Sequence, residues 1–348
     1  MVDCSVIDVF CGIGGLTHGF IKEGFRVNAG YDLDESCRFA YERNNSVTFV
    51  CKNIEELTGT QLLPKFDKGL KVLVGCAPCQ PFSKYTQGQK TQKWKLLKEF
   101  LRIITEVNPD IISMENVPEL KRQHAFRSFV AALRKAEYHV SYRIVFCPEY
   151  GVPQSRRRLV LFASRFAPIS LIPKTHPKTR YRSVRQAIGH MPRIAAGEQH
   201  RGDRIHKARN LNDINLKRIR ATPEGGGWAD WKPELMLKCH SKAKGKTYRS
   251  VYGRMRWDDL APTLTTHCTG IGNGRFGHPS QDRAISLREA ALLQTFPRWY
   301  RFAPPRKPVN NKALARQLGN AVPVRLGRII ARSIRRHILE IERNSESK

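Results

Sequence analysis

A thiol, a carboxyl and two guanidinium groups stand in this sequence where their chemistry could be combined. Cys79 lies in Val74–Ser83 (VGCAPCQPFS), and Pro78 and Pro81 fix backbone dihedrals on either side of it, so its sulfur is presented on a constrained loop. Glu115 occurs in Met114-Glu115-Asn116-Val117, and Arg156 and Arg158 in Gln154-Ser155-Arg156-Arg157-Arg158, both next to apolar runs. Singly, the ordinary readings are a buried structural cysteine, a capping carboxyl and a solvated arginine pair. Convergence of all of them on one crevice favours a nucleophile with an acid–base partner and cationic support.

Two other uses of the thiol are poorly served. Cys76 and Cys79 form a C-x-x-C pair, but a structural zinc wants a second pair at similar spacing, and Cys239, His240, His267 and Cys268 are a poor substitute. The cysteines number nine, an odd count, and the opening MVDCSVIDVF has neither the basic start nor the cleavage site of a secretory signal. A reducing compartment and no disulfide framework are expected.

A second constellation precedes the first. In Asp8-Val9-Phe10-Cys11-Gly12-Ile13-Gly14-Gly15 the glycines permit a tight strand-to-helix turn and close approach of a ligand to the backbone. Tyr31-Asp32-Leu33-Asp34 follows about twenty residues on, where a carboxylate accepts from a ribose diol. The spacing is not that of the dinucleotide fingerprint, and no Walker lysine follows, which favours an adenosine cofactor lacking phosphates, such as S-adenosylmethionine.

The elements that must position these groups read as an alternation of strand and helix. Ser5 to Phe10, Phe25 to Tyr31, Val72 to Cys76, Asp110 to Met114, His139 to Phe146 and Leu159 to Ala163 are strand-like. Helical patterns run from the glycine turn to about Lys22, then over Glu35 to Arg43, Lys95 to Val107 and Phe126 to Ala136. This implies an α/β fold with a mostly parallel, doubly covered sheet, in which ligands bind beyond the carboxyl ends of the strands.

After Arg165 the pattern breaks. From Ala167 to about Arg256 the chain is rich in Pro, Gly, Lys and Arg without clear period, yet Trp228, Trp231, Tyr248, Tyr252 and Trp257 argue for an ordered, loop-rich module. Helical periodicity returns at Ser286 to Gln294 and from Pro323 to Ile341, and the polar end, 342 to 348, is expected to fray. Lys plus Arg total 61 against 30 acidic residues, a formal charge of +31, and this field collects polyanions, nucleic acid first among them. No apolar run is long enough to span a bilayer, so a membrane is not an expected partner.

Six motifs in order resemble those of bacterial-type cytosine-5 DNA methyltransferases, over roughly the first 165 and last 90 residues. They are Phe10 to Gly15, Gly75 to Ser83, Glu115-Asn116-Val117, Gln154 to Arg158, Arg288 to Pro297, and Gln317 to Pro323. The resemblance implies a Rossmann-like, S-adenosylmethionine-dependent fold, with a catalytic domain over 1–166 completed by 308–348 and a smaller target-recognition domain over 167–307. It implies that Cys79 adds covalently to a cytosine flipped out of double-stranded DNA, with Glu115 on the N3 and amino edge, Arg158 on O2 and Arg156 as a second support.

For the cofactor, the resemblance places Phe10 against adenine, the backbone around Gly12 and Gly14 near the methionine moiety, and Asp32 on the ribose, with Ile13, Gly15 and Leu33 among the other cofactor-binding residues. Pro78 lines the pocket, and Asn320 with Val322 closes it. Asn53-Ile54 stands where the family usually carries an acidic residue that accepts from the adenine amine; an amide oxygen still accepts, with weaker binding expected. The segment after Ser83, with Lys84, Gln87 and Lys90, has the composition of a loop that closes over DNA. Implied besides are S-adenosylhomocysteine as product, no metal, a monomer, a cognate restriction endonuclease and a bacterial, cytoplasmic, nucleoid-associated setting. The alternatives are a tRNA cytosine-5 methyltransferase and a non-catalytic DNA-binding protein on the same fold.

Overall fold

A computed structural model describes residues 3–78, 94–242 and 247–346. Cys79 and the basic stretch that follows it lie outside the described residues. Two compact units are formed, Met1–Tyr150 with Arg157–Lys174 and Val322–Lys348, and Gly151–Arg156 with Thr175–Ala321. Against the boundaries expected from the sequence, residues 151–156 and 308–321 fall to the second unit and 167–174 to the first.

In the first unit a seven-stranded sheet has the order β3-β2-β1-β4-β5-β7-β6. Its strands are β1 (Cys4–Val9), β2 (Arg26–Asp32), β3 (Thr48–Cys51), β4 (Leu70–Gly75), β5 (Ile111–Asn116), β6 (His139–Phe146) and β7 (Arg157–Ser164). The first five run parallel, while β7 is antiparallel to both β5 and β6. Parallel neighbours require a crossover, and helices α1 (Gly15–Lys22), α2 (Arg38–Asn45), α3 (Gly59–Leu62), α4 (Lys95–Val107) and α5 (His124–Lys135) lie in the connections. The short link from β6 to β7 allows only the antiparallel return. β3 was not among the expected strands; four residues at a sheet edge give too little pattern to read.

The apolar stripe of α4, Leu97, Phe100, Ile104 and Val107, is buried with Ile7, Leu73, Ile112 and Leu161 of the sheet in one cluster. Asn108, in the left-handed conformation at φ 48° before Pro109, ends that helix.

The second unit holds α6 (Val184–Ile188), α7 (Asp213–Arg220), α8 (Leu287–Leu293) and α9 (Asn311–Asn320), and the chain returns to the first unit for α10 (Val324–Glu346). Ser286 caps α8 in a reciprocal box with Glu289. α10 continues to Glu346 instead of ending near Ile341, so the expected fraying of 342 to 348 does not hold for the described part of that stretch. It crosses α1 at two glycines, where a Cβ on Gly19 would stand 2.6 Å from the backbone of Gly327 and Arg328. Among the described residues no helix is long and apolar enough to cross a membrane.

Candidate active site

The groups singled out in the first unit gather where the strands end, because the sheet register puts them there. Gly75, the last residue of β4, pairs with Met114 of β5, so the residues that follow, Cys76 just past β4 and Glu115 within β5, are neighbours. The Cys76 thiol donates to Oε2 of Glu115 at 2.7 Å. Arg158 Nε lies 2.8 Å from Oε1 of the same carboxylate, with the two side chains 12% and 3% exposed. The antiparallel sense of β7 accounts for this pair: it brings the first residues of β7, Arg158 among them, to the end of the sheet where the parallel strands finish. A carboxylate this buried would be costly alone, and the guanidinium makes it tolerable.

Asn116 fastens the loop that leads to Cys79. Its Nδ2 donates to the Ala77 carbonyl at 3.0 Å, and its Oδ1 accepts from Val117 N at 2.8 Å. Pro78 follows, exposed. Among the described cysteines, burial pushes the thiol of Cys11 well up and that of Cys268 to about 12, which disqualifies both as nucleophiles.

The glycine turn after β1 is strained and concave. Phe10 (φ 62°), Gly12 (φ 50°) and Gly14 (φ 82°) all adopt positive φ, a conformation that costs a non-glycine residue such as Phe10 and not the glycines. Gly14 N donates to the Cys11 carbonyl, and Cys11 N to the Tyr31 carbonyl, which ties the turn to β2. Asp32, at the end of β2, accepts from Gly12 N at 2.8 Å and from Asp34 N at 2.9 Å. Burial raises its pKa, and these two amides partly oppose the rise.

Leu33 beside it is 67% exposed, while Ile13, Ile54 and Val322 are buried. Gly15 opens α1. Phe10 stands edge-on to Phe100, with centroids 6.3 Å apart. Asn53 accepts from Glu55 N through its Oδ1 at 3.2 Å, and an amide oxygen keeps a second lone pair for another donor.

Asp8, in β1 just before the glycine turn, is 1% exposed. Its Oδ2 accepts from the Thr17 hydroxyl at 2.6 Å, and its Oδ1 has no hydrogen-bond partner among the described residues. Burial lifts its pKa to about 7.

The remaining expected residues belong to the second unit. Arg156 is 1% exposed, and its Nη atoms donate to the carbonyls of Leu264, Gly319 and Ala321 at 3.2–3.3 Å. The expected second electrostatic support is thus a peg in a carbonyl socket of its own unit. Gln154 is held likewise, donating to Leu293 O at 2.6 Å and accepting from Leu264 N at 3.1 Å. Asn320 ends α9, exposed. Sequence reasoning did not single out Cys76 as a partner of Glu115, and only the register of β4 against β5 shows it.

A family model described as C-5 cytosine-specific DNA methylase matches residues 4–336. The chain is 56% identical over 339 residues to the Type II methylase M.HgiDII of Herpetosiphon aurantiacus, covering 96% of each. To the Type II methyltransferase M1.BsuMI of Bacillus subtilis it is 30% identical over 352 residues, 94% of this chain and 79% of that one. A crystal structure described as a DNA modification methyltransferase encoded within a prophage (E. coli) shares the fold, with a TM-score of 0.73 at 21% identity over 96% of this chain and 99% of that one.

Proposed function

The chain belongs to the C-5 cytosine-specific DNA methylases, and from that premise we propose that it carries a methyl group from S-adenosylmethionine to C5 of a cytosine swung out of a specific duplex sequence, as the modification activity of a Type II restriction-modification system. The observation that carries this reading is the buried Glu115–Arg158 pair at the end of β5, beside the pinned loop that leads into Pro78-Cys79.

The residues beyond β1 and β2 fit the cofactor. Asp32 offers a carboxylate acceptor suited to a ribose diol, and Leu33 an exposed apolar surface suited to adenine. A side chain at Gly12 would project into space that has only Asp32 Oδ2 at its edge, 4.0 Å away. The orphaned Oδ1 of Asp8 adds a buried polar atom still short of a partner. When bound, S-adenosylmethionine supplies an electrophilic methyl group on a sulfonium and leaves as S-adenosylhomocysteine.

Cytosine C5 is a weak nucleophile, so the protein must first change the ring. The Cys79 thiolate adds to C6, and the C5–C6 π electrons shift toward N3 and O2. Glu115 accepts from the exocyclic amine and, carrying a proton on its other oxygen once the base is bound, gives that proton to N3 as charge develops there and recovers it when the ring is restored, while Arg158 faces O2. C5 then has enamine character and takes the methyl group. Loss of the C5 proton to a base and breakage of the C6–S bond return Cys79 and release 5-methylcytosine. Extracting the base costs a few kcal/mol, which contacts to phosphates must offset.

Arg156 holds the carbonyls of Leu264, Gly319 and Ala321 within its own unit. The second unit carries target recognition, and Asn320 and Val322 keep their cofactor assignment from the final motif. Cys79→Ser is expected to abolish methylation of duplex DNA and leave DNA binding within about threefold, since a hydroxyl is a far weaker nucleophile of the same size. A target duplex carrying 5-fluorocytosine should trap the wild-type protein as an adduct stable to denaturation. Turnover by Cys79→Ser, or no adduct in the presence of cofactor, would falsify the nucleophile assignment.

A further inference from the structure

We infer that Cys76 is a positioning residue for Glu115, its thiol holding one carboxylate oxygen in register until the target base takes that oxygen over. This rests on the role proposed above for Glu115. The two oxygens are held from opposite sides of β5 in the sheet order, Oε2 by Cys76 Sγ at 2.7 Å from the end of β4, and Oε1 by Arg158 Nε at 2.8 Å from the start of β7. Arg158 supplies the compensating charge as an ion pair, whereas the Cys76 thiol supplies the hydrogen bond, so the thiol sets the direction of the carboxyl group. At 3% exposure Glu115 has little access to water, so a residue without a donor at position 76 would leave Oε2 buried and unsatisfied.

Cys76 itself has little freedom to withdraw. Gly75 before it is in the β4–β5 register, and the carbonyl of Ala77 after it receives the Asn116 amide. The bond requires Cys76 to carry its proton, so this sulfur acts as a donor and does not compete with Cys79 as a thiolate.

Donor strength gives the arrangement its use. A thiol is a weak hydrogen-bond donor, whereas the exocyclic amine of cytosine is a stronger one. Cys76 can therefore hold Oε2 in the absence of substrate and yield it when the base arrives. A hydroxyl in its place keeps the carboxyl group aligned but yields less readily.

The experiment compares Cys76→Ala and Cys76→Ser in the full-length protein, with methyl transfer to a target duplex, DNA affinity and thermal melting measured for each. For Cys76→Ala we expect kcat to fall roughly tenfold, with DNA affinity within about twofold, the scale of losing one hydrogen bond to a charged group. Cys76→Ser should recover kcat to within about threefold of wild type and show a raised KM for DNA. An unaltered kcat in Cys76→Ala overturns the inference, and so does equal impairment of the two variants, which would indicate packing instead of donation. Glu115→Gln, run in parallel, separates this inference from its premise. An inactive Glu115→Gln beside an unaffected Cys76→Ala removes the role of Cys76 alone, while an active Glu115→Gln removes the role of Glu115 and that of Cys76 with it.

Discussion

The two units are held together by different means. The first buries an apolar cluster from Ile7 to Ala163 beneath a sheet whose ladders satisfy the backbone. Among the described residues the second has isolated bridges in place of a sheet, and it buries apolar side chains in several places, Ile219, Ile271 and Ala284 in one cluster and Phe276, Leu287, Phe296 and Leu318 besides. Several of its backbone carbonyls are satisfied by guanidinium groups. Arg254, 5% exposed, donates to the carbonyls of Ile219, Thr222, His278 and Gln281, and Arg288, 7% exposed, to that of Tyr300 while pairing with Asp203. Where a sheet supplies the framework, polar groups at the strand ends are left for chemistry. Where it does not, buried arginines join the apolar side chains in the framework, and the charge they add to the composition is not all available to DNA.

The sharpest way to break this comparison is at Arg283, fully buried and bidentate on the equally buried Glu289 at 2.7 Å for each of the two bonds. Burial pushes the Glu289 carboxyl up, and the Arg283 bonds outweigh it, so its pKa lies below the ordinary value. A depressed carboxyl contributes stability above its unfolded pKa of about 4.3 and loses it as pH falls through the lower folded value. Arg283→Ala strands the carboxylate and should cost about 3–5 kcal/mol. Melting should become biphasic, with proteolysis confined to residues 175–321. The double variant Arg283→Met/Glu289→Leu should recover much of the stability, because neither charge is then buried unpaired. One cooperative transition at the wild-type temperature in Arg283→Ala would show that the pair does not hold the second unit.

The first unit has a polar exception of its own, and it gives a smaller, pH-dependent effect. Asp8 has a folded pKa of about 7 through burial, against about 3.9 unfolded. A raised carboxyl contributes stability that is complete below pH 4 and is lost as pH rises to 7, so above neutrality the buried charge is a burden of a few kcal/mol. Asp8→Asn removes the titration while its side-chain oxygen can still accept from Thr17. The melting temperature of Asp8→Asn minus that of wild type should rise between pH 5 and pH 8. A difference that stays flat over that range means Asp8 does not titrate there.

What could be read from the sequence follows the same division. Leu97, Phe100, Ile104 and Val107 announce a helix face by their spacing, and that face is buried as the period requires. Glu115, Arg158 and the glycine turn could be found because each sits at the end of a recognisable strand. Cys76 could not be found as their partner, since its bond to Glu115 depends on a register between β4 and β5 that no local pattern encodes. Arg254 and Arg283 cannot be told from surface cations because a basic residue is exposed by default, Arg156 stands out only as a candidate for chemistry, and nothing local marks a guanidinium destined for a carbonyl socket. β3 fell below the length at which alternation can be seen.

The mildest test separates the arginines that hold the second unit from those at its surface. Arg298 and Arg301 flank Trp299, which is 56% exposed, and all three project from a turn whose neighbours Phe296, Tyr300 and Phe302 pack on one another with centroids 4.8–5.3 Å apart. Arg204 donates to the Pro304 carbonyl at 2.9 Å and so anchors the following basic stretch with Arg306 and Lys307. Cations on a rigid aromatic base suit phosphates, which position DNA without reading it. The pair Arg298→Ala/Arg301→Ala should lower affinity for target and non-target duplexes alike by roughly tenfold, and reduce the slope of log affinity against log salt by about 0.9 for each phosphate that is no longer neutralised. Its melting temperature should match wild type, in contrast to Arg283→Ala. If affinity and slope stay unchanged, these arginines do not touch DNA; if melting falls as it does for Arg283→Ala, they belong to the framework, and the line drawn between buried and exposed arginines is in the wrong place.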